Sequence, residues 1–304
     1  MVSRTEKNKT KRNKIKKEEN SKKRKAFIVN FLKVIFAITI IIFCICSYIY
    51  YESTSILEVR EYSNVYSNLP QSFHGFKIVQ FGDLYYDKNY KQILKSIKNT
   101  IDKINPNVIV FTGGLIHKNY NLTDLEKEKL IDFLNDLKCD IGKFFVASNK
   151  DDTDVVNMLT NSGFTFLDDK EELIYYDGST PIILYGINEK NSITYSNKEL
   201  FKIVATHDPE TIDNLLKNDA PDIIMSGKSL NGQLRIPYGG GLVFSKRYKY
   251  YDKYYKSGNT DIYITGGIGT NNIPVRTFNH PSINLYRLRT KKENHTWFYF
   301  TFKR

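Results

Sequence analysis

Residues 226–237 read SGKSLNGQLRIP. The run just before, Asp222 to Ser226, has an Ile-Ile-Met centre, which predicts a strand buried on both faces and closing at Ser226. Ser, Lys, Asn and Gly then predict a tight polar loop, and Leu234 to Pro237 a second short strand. Phe76 to Phe81 and Val108 to Phe111 are similar β-rich runs. Between them Ile93, Leu94, Ile97, Ile101 and Ile104 fall three and four apart, one face of a helix over 89–104. Thr123 and Glu126 form a capping box that opens a helix with Leu130, Ile131, Leu134 and Leu137 on its core face. Lys143 to Ala147 predicts a third strand, and Asp152 to Asn161 a short helix. Phe164 to Leu167, Leu173 to Tyr176 and Ile182 to Tyr185 are expected in a second sheet, followed by a strand at Phe201 to Thr206. Asp208 caps a helix with Pro209 in its first turn, where a missing N–H does no harm. Gly241 to Phe244, Ile262 to Thr265, Ser282 to Arg287 and Trp297 to Phe302 read as the remaining strands. Strand and helix alternate early and strands dominate late, which predicts an α/β domain with a parallel start and a mixed finish.

The net charge of +12 is a property of one end. Residues 1–25 hold twelve Lys or Arg and three Glu, a balance of +9, so the rest of the chain carries only +3. A basic arm for nucleic acid is one reading of that tail. The sequence that follows gives a better one, and no nucleic-acid partner is expected. Residues 26–51 are apolar apart from Asn30, Lys33, Thr39 and Ser47, and Val34 to Tyr51 has no charge. About 20 such residues cross a bilayer. Lys33 can snorkel, and Tyr48, Tyr50 and Tyr51 suit the far interface. The basic region is too long for a cleaved signal peptide, and no A-x-A-like site follows the apolar run. The expected organisation is a basic cytoplasmic tail (1–25), a single-pass membrane anchor (26–51), a spacer with room for a short strand (52–71) and an outward-facing domain (72–304). Cys44 and Cys46 fall inside the anchor and Cys139 is alone in the domain, so no disulfide framework can be drawn. A nucleophilic role for Cys139 lacks a neighbouring His or helix start to activate it.

The loop at 226–237 resembles a signature of the calcineurin-like metallophosphoesterases, in their membrane-anchored bacterial branch. There the loop reads SGHTHGGQ and leads into a short strand and a proline. Gly227, Gly232, Gln233 and Pro237 keep that frame, while Lys228 and Leu230 replace its histidines. Four other strand ends resemble the family in order. The family D-x-H is Asp83-Leu84-Tyr85 here. The family GD is Gly113-Gly114, so the bridging carboxylate has become Gly114. The family GNHD is Ser148-Asn149-Lys150-Asp151, with Lys150 at the position of the general acid. His207 in VATHDPE matches a histidine ligand. Gly267, Gly269, Pro274 and Arg276 match the downstream glycine-rich turn and arginine. The resemblance implies a four-layer α/β/β/α sandwich preceded by one transmembrane helix.

In such phosphoesterases two divalent ions about 3.5–4 Å apart bind the phosphate and activate a bridging water. Of the retained ligand positions, Asp83 belongs to one metal, and Asn149 and His207 to the other. Neither set reaches the three or four protein ligands such a site needs. Lys150 and Lys228 bring ammonium groups, which cannot be ligands while protonated. The implied function is a catalytically silent, membrane-anchored binding or regulatory module. Its cationic pocket (Lys150, Lys228, Arg276) would take a phosphate-bearing ligand or a protein partner, with no cofactor. The alternative is an active hydrolase of phosphate esters using Mn, Fe or Zn on Asp83, Asn149 and His207, with Lys150 steadying the leaving group. A structural ectodomain is a third reading. Plainer roles stand beside each residue: a loop cap for Asp83, a turn for Asn149, a hydrogen-bonded core for His207, solvent for the lysines. His117 could serve a relocated metal site, and the tyrosine run 248–255 is either a binding surface or a half-buried strand edge.

Overall fold

The computed structural model describes residues 4–87, 91–188, 193–217, 219–236, 240–241, 248–271 and 273–291. The chain divides into two compact units, Met1–Tyr50 and Tyr51–Arg304. One helix, α1 (Arg4–Ser55), runs through both the basic and the apolar segments. Its apolar part is long and apolar enough to cross a membrane, and none of it is buried.

In the second unit the order is β1 (Glu58–Tyr62), β2 (Val65–Tyr66), β3 (Lys77–Phe81), α2 (Lys91–Ile104), β4 (Val108–Phe111), α3 (Asp124–Asp136), β5 (Gly142–Phe145), α4 (Thr153–Asn161) and β6 (Phe164–Phe166). There follow β7 (Glu171–Ile174), β8 (Ile182–Ile187), β9 (Lys202–Thr206), α5 (Ile212–Leu215), β10 (Ile223–Ser226), β11 (Arg235–Ile236), β12 (Gly240–Gly241), β13 (Tyr254–Ser257), β14 (Thr260–Ile264), β15 (Ser282–Arg287) and β16 (Arg289–Thr290).

Two six-stranded sheets result, ordered β1-β15-β3-β4-β5-β6 and β13-β14-β10-β9-β8-β7. In the first, β3 to β6 are parallel and β15 runs against β3. In the second, β8, β9, β10 and β14 are parallel and antiparallel strands close both edges. Between the sheets lie Ile78, Val108, Val110, Phe144, Ile203, Met225 and Tyr286. On the outer face of the first sheet, α2, α3 and α4 lay Ile97, Ile101, Leu130, Leu134, Met158 and Leu159 over Val79, Ile109 and Phe145. Alternate residues of β3 and β4 therefore face two different cores, which is why their runs are apolar throughout. The outer layer of the second sheet is thinner: α5, Tyr195 and Tyr250 cover Val204, Ile224 and Ile262. The capping box at Thr123 forms as expected, its side chain accepting from Glu126 N–H while Glu126 reaches back.

Two expectations need correction. Phe164–Phe166 belongs to the first sheet, because α4 returns the chain to pair in parallel with β5. The stretch 52–71 is not a spacer, since Glu58–Tyr62 pairs along its whole length with β15. Its charges hid it: Arg60 is buried by hydrogen bonds to Asn231 and Asn279. Gly241 to Phe244 is described only at Gly241, and Pro237 and the strand expected at Trp297 to Phe302 lie outside the described residues.

Candidate functional site

The parallel strands of both sheets deliver their carboxyl ends to one place, where open α/β sheets set their sites. The loops after β3 and β4 run side by side, with Asp83 N–H donating to Gly113 O at 2.7 Å and Tyr85 N–H to Gly114 O at 2.9 Å. Asp83 is wholly buried with φ +48°. Its Oδ2 accepts from the Lys228 backbone N–H at 2.8 Å. Its Oδ1 has no hydrogen-bond partner and lies 3.9 Å from His207 Nδ1. Burial pushes this carboxyl up from its ordinary value. His207, the Lys228 amide, the nearby Tyr85 hydroxyl and Arg276 offset only part of that rise.

Gly114 stands where the bridging carboxylate is expected, at φ +75°. A Cβ there would lie 2.9 Å from Tyr85 Cε1 and 3.1 Å from both Asp83 Cα and Asp83 Oδ1. Tyr85, buried at the position of a lost histidine, fills the space a side chain would need. The carboxylate of Asp151, which reaches the Gly114 backbone, is already in use. Asp151 Oδ2 accepts from Gly114 N–H and Ser148 N–H, both at 2.8 Å, and Oδ1 from Leu115 N–H at 3.1 Å. Leu230 is buried beside Gly267. Arg276, expected to bind ligand, is fully buried and donates to the carbonyls of Gly266, Gly269 and Asn279, bracing the loop from behind.

The other end of the site is open. His207 is 6% exposed, and its Nδ1 lies 2.8 Å from Thr112 O. A carbonyl can only accept, so Nδ1 is the donor in this bond and Nε2 is the ring nitrogen left outside it. His207 and the exposed Asn149 line a cavity of about 550 Å³ together with Ser148, Asp151, Asp152, Asp168, Asn188 and Asp208. Four aspartates and no lysine or arginine line it, so this cavity is not the cationic pocket expected. Neither Lys150 nor Lys228 is part of that lining, although Lys228 reaches its edge. Lys228 ion-pairs with Asp208 and lies 5.7 Å from the centre of the Tyr248 ring. Lys150 lies 5.9 Å from the centre of the Tyr85 ring, its pKa lowered by partial burial and then by Lys118.

The remaining candidates have ordinary partners. His117 Nδ1 accepts from Asn119 N–H at 3.4 Å, and its ring meets Tyr85 edge-on. Burial pushes the Cys139 thiol up, away from a nucleophile's range. In the tyrosine run, Tyr250 donates to Asp213, Tyr254 donates to Asp261, and Tyr255 Oη accepts from two backbone amides.

These donors do not fit a two-metal centre. One oxygen of Asp83 is taken by an amide, the bridging position has no room for a side chain, and His207 can offer Nε2 alone. Among the described residues no group of three or more His, Cys, Asp or Glu is placed to hold a metal ion.

No family model matches the chain. Over 259 residues it is 28% identical to the uncharacterized metallophosphoesterase YkuE of Bacillus subtilis, covering 80% of this chain and 89% of that protein. This likeness supports the calcineurin-like metallophosphoesterase superfamily that the strand-end motifs resemble. It is also 24% identical over 236 residues to the UDP-2,3-diacylglucosamine pyrophosphatase LpxG of Chlamydia trachomatis, covering 56% of this chain and 69% of that one. Among solved structures, the Escherichia coli phosphoesterase YfcE aligns over 65% of this chain and 82% of its own, with a TM-score of 0.36 and 11% identity. Sequence reasoning gave Asp151 no role and missed the Arg60–Asn231–Asn279 cluster. The signal for Asp151 was its retention in the SNKD run beside a substituted neighbour.

Proposed function

We propose that this metallophosphoesterase-fold protein is catalytically silent and serves as a binding module held at a membrane by residues 26–51. The observation that carries the reading is Gly114. The carboxylate that would join two metals is absent, and the space its side chain would need is taken by Tyr85 and Asp83. Lys228 supports it further: its backbone amide takes one oxygen of Asp83, and its ammonium pairs with Asp208. Four aspartates, each already holding a hydrogen bond or ion pair within the chain, and no lysine or arginine line the open cavity, which disfavours free phosphate there. The test is metal analysis of the purified full-length chain together with aryl phosphate and phosphodiester turnover. The expected result is less than stoichiometric Mn, Fe or Zn and no turnover that depends on Asp83 or His207. Two tightly held ions, or turnover lost in Asp83→Ala and His207→Ala, would overturn it.

A further inference from the structure

The chain enters the second unit at the site's end. β1 begins at Glu58, whose N–H donates to Pro281 O at 2.8 Å, and pairs in parallel with β15 from Ser282 onward. β15 runs against β3, so the start of β1 lies level with the end of β3, where Asp83 sits. Arg60 then bonds Asn231, inside the 226–237 loop, and Asn279, in the loop before β15.

Six residues separate Tyr51, the last of the apolar run, from Glu58. Even fully extended, that link reaches only about 25 Å. If residues 26–51 cross a bilayer, the start of β1 can lie no more than about 25 Å from the end of the span.

The end of the domain bearing the site displays apolar side chains. Ile236, Ile273 and Phe278 are 48%, 36% and 57% exposed. They sit on two abutting segments: Leu234 pairs with Thr277, Arg235 N–H donates to Thr277 O, and Gln233 Nε2 donates to Val275 O. Phe278 has φ +49°, a conformation that an aromatic residue rarely adopts. The backbone is strained to put an aromatic ring into solvent, which exchanges badly with water and well with a lipid interface.

We propose that this rim docks on the bilayer, with Phe278 and Ile236 dipping into the interfacial layer, so that the site opens toward the membrane surface. The proposal goes beyond the silent-module reading and rests only on residues 26–51 as an anchor.

The test uses the full-length chain in phosphatidylcholine vesicles, with its single tryptophan removed by Trp297→Phe and a reporter introduced by Phe278→Trp. Acyl-chain-brominated lipid is expected to quench that reporter about twofold or more. The control is Tyr175→Trp, because Tyr175 is 55% exposed and follows β7 at the opposite end, where Ile174 pairs with the first residue of β8. It should stay unquenched. Ile236→Trp provides a second reporter if the Phe278 variant folds poorly. Equal quenching at both ends, or none at the rim in chains resistant to carbonate extraction, overturns the proposal. A blue shift at the rim without bromine quenching also overturns it, in favour of a protein partner. Chains that carbonate extracts defeat the anchor and the proposal together. Metal content and turnover in the same vesicles report separately on the silent reading.

Discussion

Around Asp83 the strand-end loops are packed solid, whereas around His207 they open onto a cavity of about 550 Å³. On the closed side Tyr85 and Leu230 occupy histidine positions as buried side chains, Arg276 is spent on carbonyls, and Gly114 leaves no room for an acid. On the open side His207 keeps a free ring nitrogen and Asn149 stays exposed. The positions that differ from the family motifs thus fall in two different settings. At the positions of the bridging carboxylate and of the first-loop histidine, the residues present pack as core. Lys228, by contrast, reaches the edge of the open cavity.

That contrast predicts that stability is concentrated on the closed side. Gly114→Asp should have the largest effect, about 2–4 kcal/mol, because the new Cβ meets Tyr85 and Asp83 and takes a left-handed φ. Urea melts would read it as a lower midpoint. A variant as stable as the parent and binding stoichiometric manganese would break the comparison. Asp151→Ala removes the acceptor for three backbone amides and should cost about 2–3 kcal/mol by the same measurement. A loss much below 1 kcal/mol would mean that Asp151 does not tie the β4 and β5 loops together. His207→Ala forfeits the bond to Thr112 O and should cost about 1 kcal/mol. Lys228→Met should change stability by less than about 1 kcal/mol, since the Lys228–Asp208 pair is partly exposed and its strength is screened. A larger loss on that substitution would shift stabilising weight to the open side.

The parallel strands were legible because helices or a second sheet cover both their faces, which forces unbroken apolar runs at 108–111 and 223–225. The helix at Thr123 was legible from a local rule spanning three residues. Glu58–Tyr62 was not, because EVREY looks solvated until Arg60 meets partners 171 and 219 positions away. Phe164–Phe166 was recognisable as a strand but not assignable to a sheet, since three residues carry no information about their neighbour. At the site, each missing ligand could be read position by position. The destinations of the charges could not. Nothing in the sequence near Lys228 says that its ammonium turns to Asp208 while its amide turns to Asp83.

The five paired residues of β1 also have a mechanical consequence. A tug transmitted through residue 57 pulls along the strand axis, loading the hydrogen bonds to β15 together in shear rather than unzipping them singly. Arg60 would carry part of that tension straight into Asn231, so lateral drag on the tether would be felt at the 226–237 loop before it reached the sheets behind.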